Sequence, residues 1–139
     1  MGKLKANVIL GALLLVGAAV TALYWWSYFS GGEVRLTDER WYTAFESSFP
    51  IADGWMALCM TCAGAGLILN RPWARPAGLM AGSALIYLAA MDITFNVNNG
   101  LYALASAGLA MKFEMLINAV SAALGVWSIA ACWPRAGKT

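Results

Sequence analysis

Four long apolar stretches, none containing a Lys or Arg, set the limits on what this chain can become. Crossing a hydrocarbon core takes roughly 20 helical residues, and only a helix or a closed barrel satisfies its own backbone there. Residues 6–29, 51–70, 76–95 and 113–133 meet that length and carry no strict alternation of apolar and polar positions, so they read as helices. The expected fold is therefore all-α: an integral membrane four-helix bundle forming a single four-span domain over residues 1–139. Composition agrees, since 61% of residues are hydrophobic and only 12% charged, outside the usual range of soluble domains.

The boundaries have local causes. Lys3 and Lys5 precede the first stretch in the manner of a signal peptide, but the stretch is long and closes in Tyr24, Trp25, Trp26, Tyr28 and Phe29. An uncleaved anchor with an aromatic belt at headgroup level is expected. Arg71-Pro72-Trp73-Ala74-Arg75-Pro76 stops the second helix and starts the third. Asn96-Val97-Asn98-Asn99-Gly100 ends the third, and a bland reading of it, helix termination with Gly100 at positive φ, outweighs a calcium loop, whose closing Glu is missing. In the first loop a short interfacial helix is expected, capped by Thr37, with Trp41, Ala44, Phe45 and Ser48 facing the membrane. The stretch 101–110 is apolar and too short to span; it reads as helix, either interfacial, re-entrant or an extension of the fourth span.

Basic residues give the orientation. With both termini inside, the cytoplasm receives Lys3, Lys5, Arg71, Arg75, Arg135 and Lys138, against Arg35, Arg40 and Lys112 outside. A multi-pass plasma (inner) membrane protein with cytoplasmic termini is expected. The acidic residues Glu33, Asp38, Glu39, Glu46, Asp53, Asp92 and Glu114 then all fall in the outer half. Asp92 lies sixteen residues after Pro76, or roughly 24 Å along its helix. Asp53 and Glu114 open their own helices, so three spans bring a carboxylate to a similar depth.

Helical spacing extends these carboxylates into inward faces: Glu114, Asn118, Ser121, Gly125 and Ser128 on the fourth span, and Gly78, Gly82, Leu85, Ala89, Asp92, Asn96 and Asn99 on the third. A carboxylate facing lipid near the midplane costs about 2.5–3.5 kcal/mol, which turns these faces toward the bundle. Asp53 and Glu114 serve equally as favourable charges at helix N-termini. Asp92 sits near a C-terminus, where the helix dipole opposes it, and calls for Arg35, Arg40, Lys112, a proton or a bound cation. Asp53, Asp92, Asn96, Glu114 and Asn118 are the candidate ligand-binding residues; no metal or cofactor is specified by the pattern.

Cys59-Met60-Thr61-Cys62 lies within the second span. Four spans with such a pair resemble quinone-linked disulfide-forming membrane enzymes, but the loop-borne second pair of that family is missing, and packing is the expected role. Gly78 and Gly82, the run Ala63-Gly64-Ala65-Gly66, and Ser121 with Gly125 are surfaces for close helix approach, within one bundle before a homo-oligomer.

Charge and composition exclude several classes. A net +2 without a Lys/Arg-rich tract gives no nucleic-acid footprint, and the absence of His removes the commonest base and metal ligand. Three readings stand: a non-enzymatic protein whose outward acidic pocket binds a cation, lipid headgroup or amphiphile; an accessory subunit packed against a larger membrane complex; and a membrane enzyme, using Cys59 and Cys62 in redox or Asp92 and Glu114 in lipid isomerisation. Transport would need an oligomer. The lipid bilayer is the partner common to all.

Overall fold

A computed structural model describes residues 2–31, 38–106 and 108–134. They form α1 (Gly2–Phe29), α2 (Arg40–Glu46), α3 (Pro50–Ile68), α4 (Ala74–Asn98), a 3-10 helix (Leu101–Ser106) and α5 (Leu109–Cys132). Four of these segments are long and apolar enough to cross a membrane, and the chain is an all-helical four-helix bundle. Its outside is apolar on every side: Leu23, Trp26, Ile51, Tyr87, Val97 and Val126 are all exposed. A helix apolar all round suits lipid rather than water.

The helix ends follow the chemistry of their residues. Pro50 starts α3, where its missing N–H costs nothing. At the other end Asn70 adopts φ 51°, and Arg71 N–H reaches back to Gly66 O at 2.8 Å while Asn70 N–H reaches Leu67 O. This is the paired capping of a Schellman turn, with Asn in the left-handed position. Gly100 (φ 64°) closes α4, so the bland reading of that Asn-rich segment is correct, though α4 runs on to Asn98.

Around the bundle the order is α1, α3, α4, α5, each antiparallel to the next; α1 and α5 meet only sparsely. Two backbone crossings set the spacing. A Cβ on Gly11 would lie 2.8 Å from Gly64 O, and one on Gly82 would lie 2.8 Å from Gly125 O. Ser128 Oγ–H donates to Gly78 O at 2.8 Å across the same α4–α5 seam. Leu10, Leu14, Met60, Ala63 and Leu85 fill the centre between these crossings.

The first loop holds the expected short helix, with its cap and one of its predicted outer residues placed differently. Thr37 lies outside the described residues, and the N-cap of α2 falls on Glu39, which makes no side-chain cap bond. Trp41, Ala44 and Ser48 are exposed, whereas Tyr42 is 1% exposed. The inward face is turned by about one residue because Phe45 stacks flat on Phe95 of α4, with centroids 3.5 Å apart and planes 2° from parallel. Tyr42 then packs with Leu101 of the 3-10 helix and Met111 of α5. Through Tyr42 and Phe45, α2 covers one end of the bundle, while Trp41, Ala44 and Ser48 stay on its outer side. Phe45→Ala is expected to cost about 2 kcal/mol, a half-buried aromatic plus its stacking contact. Trp41→Ala should cost far less; thermal unfolding in neutral detergent compares the two. Of the stretch 101–110, Leu101–Ser106 form the 3-10 helix, and Leu109 and Ala110 open α5.

Candidate functional site

The end of the bundle under α2 gathers four carboxylates from four helical segments: Glu46 (α2), Asp53 (α3), Asp92 (α4) and Glu114 (α5). Asp53 sits in the first turn of α3, where the helix dipole favours a negative group. Its Oδ2 accepts a bond from Trp25 Nε1–H at 2.9 Å. Tyr24, the preceding residue of α1, donates from its hydroxyl to Glu46 Oε2 at 2.9 Å. Asn96 donates through Nδ2 to Glu114 Oε1. Asp92 takes none of these donors and shares the lining with Glu46, Asp53 and Glu114.

These groups line one end of a cavity of about 470 Å³. Its remaining walls are mostly apolar, with Leu13, Val16 and Val20 of α1, Met56 and Met60 of α3, Leu88 of α4, and Phe113, Ile117, Leu124 and Trp127 of α5, beside the hydroxyl residues Thr21 and Ser121. Among the described residues, no Lys or Arg lines it. Polar at one end and apolar along its length, it has the polarity pattern of an amphiphile. Carboxylates confined together repel one another when ionised, and a cationic group among them relieves that repulsion. Among the described residues, no three Asp, Glu or Cys side chains come together closely enough to hold one metal ion.

Of the residues expected at the site, Asp53, Asp92 and Glu114 line the cavity, and Asn96 acts behind Glu114. Asn118 does not line it. It shares a face with Gly125 and Ser128, 2% exposed, and the register that pairs Gly82 with Gly125 sets it level with Ala89 and Asp92. Its amide nitrogen and oxygen, like Asn96 Oδ1, have no hydrogen-bond partner among the described residues. The predicted inward faces are inward, apart from Asn99, which is exposed and bonds back to Phe95 O beyond the last turn of α4.

Glu46, Tyr24 and Trp25 are the members that sequence reasoning leaves out. Glu46 reads as a loop acid because α2 looks like a surface helix, and Tyr24 and Trp25 read as part of an aromatic belt. The one available signal was Trp25 itself: a buried indole seeks an acceptor, and Asp53 opens the neighbouring helix. Cys59 is buried and Cys62 exposed, and both are unbridged, so the pair lies at the edge of the packed face of α3.

Comparison with protein-family models, with curated proteins and with solved structures gave no match, so the site is read from its own geometry.

Proposed function

We propose that this chain is a multi-pass plasma-membrane protein with cytoplasmic termini whose outward-facing acidic pocket binds an amphiphile with a cationic head. The observation that carries the reading is the cavity itself, four carboxylates at one end of an apolar chamber with no basic residue lining it among the described residues. Orientation is supported by the basic residues Lys3, Lys5, Arg71 and Arg75, which the helix directions put at the end away from the carboxylates. A bare metal ion is the weaker ligand, because no three acidic groups among the described residues converge on one point.

Thermal unfolding tests the reading. Purified protein in neutral detergent is titrated with hexadecyltrimethylammonium, hexadecyl sulfate, Na+, Mg2+ and Ca2+, for wild type and Asp92→Asn. A ligand at about a hundred times its Kd stabilises by roughly 2.7 kcal/mol, a shift of several degrees. The cationic amphiphile is expected to raise the wild-type midpoint by that order and the Asp92→Asn midpoint by clearly less. Indifference of both proteins to every additive would sink the proposal.

A further inference from the structure

The two halves of the chain repeat one arrangement. Gly11 packs on Gly64 as Gly82 packs on Gly125, and in each pair a Cβ on either glycine would meet the other's carbonyl oxygen at 2.7–2.8 Å. The neighbours repeat as well. Leu15 crowds Gly64 as Ile86 crowds Gly125, and Ile68 crowds Gly11 as Ile129 crowds Gly82. Positions of α1 thus correspond to α4 at an offset of 71 (Gly11 to Gly82), and positions of α3 to α5 at an offset of 61 (Gly64 to Gly125). The same offsets carry Trp25 onto Asn96 and Asp53 onto Glu114, so the donor-to-carboxylate bond occurs twice.

An approximate twofold arrangement of hairpins makes the α5–α1 seam the counterpart of the α3–α4 seam. A groove opens at each, and their linings correspond: Asp53, Met56, Ala84 and Leu88 in one stand where Glu114, Ile117, Leu13 and Gly17 stand in the other, with Asp53, Met56 and Leu88 shared between the two grooves. Their lengths differ. The short groove, of about 560 Å³, extends from Phe49 to Met56 beside α3 and from Leu79 to Leu88 along α4, about 10 and 14 Å; the long one, of about 470 Å³, extends from Ala110 to Trp127 along α5 and from Leu13 to Trp25 along α1, about 25 and 18 Å.

The difference has two causes. The tight turn after Ile68 ties α3 to α4, and Gly66 lets Ala74 close in, since a Cβ there would lie 2.9 Å from the Ala74 Cβ. The counterpart of Gly66 in α5 is Trp127, which lines the long groove, and no turn joins α5 to α1. An indole thus stands at the rim of the long groove where its counterpart has only a hydrogen atom.

We propose that the α1–α5 groove takes the hydrocarbon chain of a single-chain cationic amphiphile directly from the bilayer, with Trp127 as the wedge that keeps the groove open. The assignment rests on the acidic-pocket reading above. From Glu114 to Trp127 the groove spans thirteen residues, about 20 Å, comparable with the ~15 Å depth of one leaflet. The head then sits among the carboxylates, and charge complementarity selects a cation over the anionic and zwitterionic lipids around it.

The test separates chain from head. Gly17→Cys with Leu124→Cys, in a background with Cys59, Cys62 and Cys132 changed to alanine, places two thiols across the seam. A Cβ at Gly17 lies 4.0 Å from Leu124 Cδ2, so the two positions face each other across the seam and a disulfide between them draws the helices together. Affinities for hexadecyltrimethylammonium and tetramethylammonium are measured in nanodiscs before and after oxidation, and separately for Trp127→Gly. Bridging and Trp127→Gly are each expected to weaken the long-chain compound at least tenfold while tetramethylammonium stays within about twofold. Unchanged long-chain affinity in the bridged protein, or in a folded Trp127→Gly protein, overturns the groove assignment alone. Failure of both compounds to bind wild type overturns the acidic-pocket reading beneath it.

Discussion

Gly125→Val is expected to lower the unfolding midpoint of the detergent-solubilised protein by roughly 10 °C, corresponding to about 3 kcal/mol, the upper part of the range for overpacking. The reason is that the new side chain has nowhere to go. Its Cβ would meet Gly82 O and Ile86 Cγ1 at 2.8 Å and Ile86 N at 3.2 Å, and two of these three are backbone atoms of the facing helix. A flexible side chain can swing away; a helix backbone yields only if the whole seam widens, which also strains the Ser128 bond to Gly78 O. Without a hydrophobic force between helices in lipid, such packing and its hydrogen bonds are what hold the hairpin together. Gly54→Ala is the matched control. Nothing lies within 4 Å of its Cβ position, and alanine is the better helix former, so that midpoint should hold or rise. Equal effects at Gly54 and Gly125 would mean the crossing does not hold the fold.

The second large effect is on binding rather than stability. Asp53→Asn with Glu114→Gln should weaken hexadecyltrimethylammonium about a hundredfold, each single change supplying about tenfold, the range for losing one charged partner. The amides are chosen because they keep what the carboxylates do structurally. An asparagine carbonyl at position 53 still accepts from Trp25, and a glutamine carbonyl at position 114 still accepts from Asn96. Removing like charges from one cavity should leave the empty protein at least as stable as before. Calorimetric titration and thermal unfolding on the same samples therefore separate the roles. Loss of fold with loss of affinity would assign the carboxylates to structure, and retained affinity in the double variant would remove them from recognition.

Much of this was legible beforehand, for identifiable reasons. Four helices follow from segment length, since about 20 apolar residues have few alternatives to spanning a membrane as helix. The inward direction of Asp53, Asp92 and Glu114 follows from the expense of a carboxylate in lipid, a property of the single residue in its solvent. The α3–α4 turn follows from Asn70 and the prolines after it. Glu46 was different, because its inward aim depends on the Phe45–Phe95 stack, a contact between residues fifty apart. Tyr24 and Trp25 read equally well as interface anchors, and only the position of α3 beside α1 gives them acceptors. Asn118 shows the opposite error. Its spacing puts it on the polar face, but that face is wide, and Asn118 falls on the part turned to α4 rather than to the cavity.

The chain's own residues, taken alone, determine the number of long helices and the side of each that avoids lipid, because these depend on periodicity and solvent transfer within a single segment. Neighbour order, the donor given to each carboxylate and the long opening between α1 and α5 belong to the tertiary structure. They turn on contacts between distant segments, such as Gly66 against Ala74 at the α3–α4 seam, and no local pattern reports whether two helices will meet.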